Sequence, residues 1–68
     1  MYKAKAILKL VTGEEMYYGT FEEWMQAETI LMEIRDNPFI KVTDKKGKMW
    51  IITPDKVIGC HMEKKRIF

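Results

Sequence analysis

Cys60 and His61 are the only cysteine and the only histidine of the chain, and they are adjacent. A thiol beside an imidazole can form a thiolate–imidazolium nucleophile, and both groups are ligands for zinc. Either chemistry needs the two side chains to converge on one point. Residues 56–63 read as a strand, in which successive side chains point to opposite faces. The pair is therefore expected to split, with Cys60 inward as a small apolar residue and His61 outward. One cysteine cannot make an intramolecular disulfide, and with one histidine it cannot complete a structural zinc site.

Other reactive constellations are missing. The sequence contains no serine, which excludes serine-based catalysis. Its acids fall on expected turns and on the wet face of a helix, so no carboxylate pair has an apolar cleft for general acid–base work. Gly47-Lys48 lacks the glycine spacing of a phosphate loop and reads as a hairpin turn. These absences point away from an enzyme and imply no cofactor and no metal.

The elements that position these residues follow from patterning. In residues 2–11, Tyr2, Ala4, Ala6, Leu8 and Leu10 alternate with a lysine-rich side, which is the signature of a half-buried strand. Thr12-Gly13-Glu14 makes a turn, and Glu15 to Gly19 returns as a second strand. A three-residue loop would put Met16 opposite Leu10 and Tyr18 opposite Leu8. Thr20-Phe21-Glu22-Glu23 matches a capping box, so a helix is expected from here to Arg35 or Asp36, ended by Pro38.

That helix carries a broad apolar stripe of Trp24, Ala27, Ile30, Leu31 and Ile34. A narrower line of Phe21, Met25 and Met32 lies beside it and is a second candidate partner surface.

Three strands should follow: Phe39 to Thr43, Lys48 to Thr53, and Lys56 to about Glu63. The first two are joined by Asp44-Lys45-Lys46-Gly47 and the last two by Pro54-Asp55. Counting around these loops places Val42 opposite Met49, Ile40 opposite Ile51, Trp50 opposite Gly59 and Lys48 opposite His61. One face of the meander then holds Ile40, Val42, Met49, Ile51, Ile58, Cys60 and Met62 and receives the helix. The other holds Phe39, Lys41, Lys48, Trp50, Ile52, Val57, Gly59 and His61. The expected fold is α+β over residues 1–68: a β-hairpin, one helix and a three-stranded antiparallel meander, with the helix on one face of a sheet that is either open or barrel-like. In strand number it is similar to small RNA-binding barrels. Oligonucleotide-binding barrels, however, place the helix after the third strand and Sm-type barrels before the first.

Sixty-eight residues bury only about 60% of the surface that the unfolded chain exposes, so association is a natural source of extra stability. The composition, 47% apolar and 32% charged, is that of a globular domain. No segment has the pattern of a signal peptide or a membrane span, and a cytoplasmic protein without membrane contact is expected. The net charge of +2 hides a basic-acidic-basic order. Residues 1–13 carry three lysines, residues 14–36 carry seven acids against Arg35, and residues 41–66 carry eight bases against three acids.

The functional expectation is a non-enzymatic adaptor or inhibitor, of a size seen among phage and mobile-element accessory proteins. It would bind protein or itself, as a homo-oligomer, through Phe39, Lys41, Lys48, Trp50, Ile52, Val57 and His61. The alternative is a single-stranded nucleic-acid-binding domain, with Trp50 stacking on bases and lysines neutralising phosphates.

Overall fold

The computed structural model describes residues 2–66 and shows a small α+β domain: one helix on a five-stranded antiparallel sheet. The elements are β1 (Tyr2–Leu10), β2 (Glu15–Glu22), α1 (Ala27–Arg35), β3 (Ile40–Thr43), β4 (Met49–Ile52) and β5 (Val57–Arg66), with a 3₁₀ turn at Pro54–Lys56 between the last two. The strand order is β4-β3-β2-β1-β5.

β1 follows its alternation. Ala4, Ala6, Leu8 and Leu10 are buried, whereas Lys3, Lys5 and Ile7 are half-buried on the other side and Lys9 is exposed. β1 is an interior strand of the rolled sheet, paired along its length with β2 on one side and the edge strand β5 on the other. The core is built on it from Leu8, Ile30, Ile34 and Val42, with Met16 and Ile40.

The expected meander is replaced by a different topology. β4 and β5 do not pair; they are the opposite edges of the sheet, and β5 runs antiparallel to the whole length of β1. The physical reason is twofold. Ten-residue β5 matches nine-residue β1 in length, while β4 offers only four residues. Pro54–Lys56 closes as a 3₁₀ turn, with the Lys56 amide donating to the Thr53 carbonyl at 3.1 Å, instead of forming a two-residue hairpin loop.

This connection also fixes the curvature. Four strand spacings in a flat sheet would separate the edges by about 19 Å. The five Cα steps from Ile52 to Val57 reach at most about 17 Å when fully extended, and a 3₁₀ turn advances only about 2 Å per residue. The sheet must therefore roll so that its edges approach, without closing into a barrel. The Val11 amide, donating to the Lys56 carbonyl at 2.9 Å, pins the first hairpin to this crossing.

The helix begins later than the capping box implies. β2 continues through Glu22, placing Thr20 opposite Lys5 and Phe21 opposite Ala4. The Thr20 hydroxyl pairs with the Tyr17 hydroxyl at 2.6 Å and caps nothing. Pairing with β1 outweighs a local cap worth about 1 kcal/mol. The N-cap is Gln26, without a side-chain hydrogen bond, and the helix ends at Arg35, as expected before Pro38. Ile30 and Ile34 are its buried residues; Ala27 and Leu31 are half-buried, and Trp24 stands exposed in the preceding turn.

The first hairpin also shifts. Met16 lies opposite Leu8, and the register changes between Ala6 and Ile7, which leaves Tyr18 as a bulge residue. The bulge turns Gly19 and Phe21 to the same side as Ala6 and Ala4. The Phe21 ring closes over Gly19, where an added Cβ would lie 3.3 Å from it, and stacks with Tyr18 at 6.0 Å between centroids.

Candidate protein-binding edge

The edge is built by the β3–β4 turn. Asp44 Oδ1 accepts from the Lys46 and Lys48 amides, each at 2.9 Å, and Oδ2 accepts from the Trp50 indole at 2.9 Å. Gly47 has φ +86°, the left-handed conformation that suits glycine. The Gly47 amide donates to the Asp44 carbonyl at 3.0 Å, and the Asp44 amide donates to the Lys48 carbonyl at 2.9 Å. This is a three-residue hairpin loop with its glycine in the bulge position.

The loop sets the register one residue away from expectation. Val42 lies opposite Trp50 and Ile40 opposite Ile52. Because side chains alternate with period two, a one-residue slip reverses the faces of the whole strand. Met49 and Ile51, expected in the core, are 65% and 62% exposed on the outer face. Trp50 and Ile52, expected outside, share the side of buried Val42 and Ile40; Ile52 is half-buried and Trp50 remains 43% exposed at the rim.

The backbone follows the same alternation. Since Asp44 and Lys48 form a hydrogen-bonded pair, the next ones toward β3 are Val42 with Trp50 and Ile40 with Ile52. The amides and carbonyls of Met49 and Ile51 therefore point to the free edge.

The other edge is guarded. β5 carries Glu63 and Lys64, and its register shifts between Lys9 and Leu10, so that Ile58 bulges outward. This bulge corrects two expectations: Val57 turns inward opposite Leu10, and Ile58 is exposed.

Cys60 and Met62 face inward opposite Leu8 and Ala6, and His61 faces outward opposite Ile7. The reactive pair is thus separated. Burial pushes the Cys60 thiol above its ordinary value, which disfavours the thiolate. The His61 ring lies 3.3 Å from Glu63 and 4.0 Å from Glu15, with Lys48 on the distant hairpin. Among the described residues, no group of three or more His, Cys, Asp or Glu is placed to hold a metal ion, and no helix is long and apolar enough to cross a membrane.

Of the residues expected to form one binding face, Phe39, Lys41, Lys48, Trp50 and Ile52 all lie on the β3–β4 hairpin and its approach, but the register splits them between its two sides, with Trp50 and Ile52 on the side of buried Val42 and Ile40. Lys41 is on the outer side opposite Ile51, whereas Val57 and His61 belong to β5 at the far edge. On the second candidate surface, Phe21 and Met25 are half-buried against the core, and Met32 is exposed. The site residues that sequence reasoning missed are Met49 and Ile51. The signal was present in Asp44 followed by Gly47, which marks a three-residue loop.

The hairpin has a testable acid sensitivity. The Asp44 carboxyl is held below its ordinary value of 3.8, first by the Trp50 indole and then by the Lys48 amide, with the Lys46 amide and charge adding. A carboxyl depressed in the folded state stabilises above its unfolded pKa and loses that contribution as pH falls through the folded value. The Trp50 indole N–H resonance should accordingly move toward its exposed position below pH 3.8. In Asp44→Asn this acid transition should vanish, because asparagine does not titrate. An unchanged transition in the variant would assign it elsewhere, with Asp55, also depressed by its Thr53 hydrogen bond, the first alternative.

Comparison with protein-family models, curated proteins and solved structures gave no match to the chain.

Proposed function

We propose that this chain is a non-enzymatic protein-binding module that takes up a partner by strand addition at β4. The observation that carries this reading is the unguarded edge: four consecutive apolar residues, Met49-Trp50-Ile51-Ile52, with the Met49 and Ile51 backbone groups free and their side chains exposed. An added strand would satisfy those groups and cover the apolar side chains together. Asp44 and Lys48 hold Trp50 from two sides, with the Lys48 ammonium 4.8 Å from its ring centroid, so the edge is ordered before a partner arrives.

The same geometry weakens the nucleic-acid alternative. Lys3 is ion-paired with Glu22, Lys5 lies opposite Glu63 and Lys9 opposite Glu15, so three of the lysines of this reading have a carboxylate beside or opposite them. Lys48 already occupies one face of the Trp50 indole, where a base would stack.

The test is an NMR titration of dilute protein with extended peptides of alternating valine and threonine, and separately with single-stranded oligonucleotides at low salt. The peptides should shift and protect the Met49 and Ile51 amides. Salt-sensitive oligonucleotide shifts at Lys41, Lys48 and Trp50, with silent peptides, would overturn the proposal in favour of the nucleic-acid reading.

A further inference from the structure

Resting on the strand-addition reading, we infer that the strand received by β4 is β4 of a second copy of this chain, antiparallel about a two-fold axis that passes at Trp50. A two-fold axis normal to a continuous sheet keeps each residue on its own face. The two strands can therefore be centred on Trp50 or on Ile51, but not between them.

The backbone chooses between these centres. Centred on Trp50, Met49 of one copy opposes Ile51 of the other, and each pair exchanges both free N–H and C=O groups, giving two symmetric hydrogen-bonded pairs. Centring on Ile51 would oppose Met49 to Thr53, whose carbonyl already accepts from the Lys56 amide at 3.1 Å. Only the Trp50 centre uses every free group of the edge without breaking the 3₁₀ turn.

The side chains agree with this register. On the outer face, exposed Met49 meets exposed Ile51 of the second copy, twice. On the inner face the two Trp50 residues face each other across the axis. The assembly closes at two copies, because the β5 edge is interrupted by its bulge and charges. A four-residue edge buries less than the roughly 800 Å² per partner of a standard interface, so the dimer should dissociate on dilution.

Two experiments test this. Sedimentation velocity over about a hundredfold range of concentration should show a monomer converting to a dimer. Ile51→Pro, which removes a free-edge N–H that a peripheral strand can spare, should abolish the dimer while leaving the far-ultraviolet circular dichroism unchanged. For the register, cysteines are introduced in a Cys60→Ala background and oxidised. Trp50→Cys should link to itself, because opposed residues of a non-hydrogen-bonded pair have Cα atoms about 4.5 Å apart. Met49→Cys should not, because its two copies are offset by two residues and exceed the roughly 7 Å limit for a disulfide.

Self-linking by Ile51→Cys in place of Trp50→Cys would overturn the register. A monomer at every concentration would overturn the second copy as partner; if extended peptides still protected Met49 and Ile51, the strand-addition reading would stand without it.

Discussion

Leu8→Ala should remove most of the stability of the domain. Leu8 is fully buried on the interior strand β1, opposite Met16 on β2 and Cys60 on β5, and it shares the core with Ile30, Ile34 and Val42. Truncating a buried leucine costs about 2–5 kcal/mol, the lost transfer free energy plus the cavity left behind. A domain of this size holds a net stability of only about 3–5 kcal/mol from a single core. The two ranges overlap, so the urea midpoint should fall toward zero and much of the chain should be unfolded in buffer. Lys9→Ala, one residue along and on the exposed side, is the control and should lie within about 0.5 kcal/mol of the parent. Similar midpoints for the two variants would refute the placement of β1.

The second large effect belongs to the helix. α1 has nine residues and a Gln26 N-cap without a side-chain hydrogen bond, and isolated helices shorter than about 12–15 residues are marginal in water. It persists because Ile30 and Ile34 are buried under it. Ile34→Ala should cost about 2–5 kcal/mol and lower the helical signal before the sheet melts, since the helix then keeps a single deep anchor. Met32→Ala, at a residue 66% exposed on the same helix, should change the midpoint little. Equal losses for the two substitutions would mean that the helix faces the core in a different phase.

The legible parts of this fold are those determined by periodicity inside one element. The alternation of β1 gave the correct buried face, the helix ended where Pro38 requires, and the parity of β5 separated Cys60 from His61. The errors arose where two distant segments compete. Thr20-Phe21-Glu22-Glu23 is a good capping sequence, but three of its residues pair with Lys5, Ala4 and Lys3, and only the presence of β1 decides between the two structures. Thr53-Pro54-Asp55-Lys56 suits a tight hairpin equally well; that it instead crosses the open end of a rolled sheet depends on β1 being long enough to pair with β5.

The candidate site was partly legible for a narrower reason. The β3–β4 hairpin is legible in Asp44-Lys45-Lys46-Gly47, but a four-residue loop and the actual three-residue loop differ by one position of register, and that position puts Met49 and Ile51 rather than Trp50 and Ile52 on the outer face. The apolar excess was correctly located in the strand, while the side chains that present it were not.

The position of β1 between β2 and β5 has a consequence for how the chain reaches this structure. Residues near position 4 have one neighbour near position 21 and another near position 64. The first hairpin can form early, but its far flank stays open until the last strand arrives, and closing a loop of that length is slow. During synthesis the nascent hairpin therefore carries a bare strand edge for most of the chain's emergence. Lys3, Lys5 and Lys9 are spaced along that temporary edge strand, and charges so placed disfavour pairing with another chain.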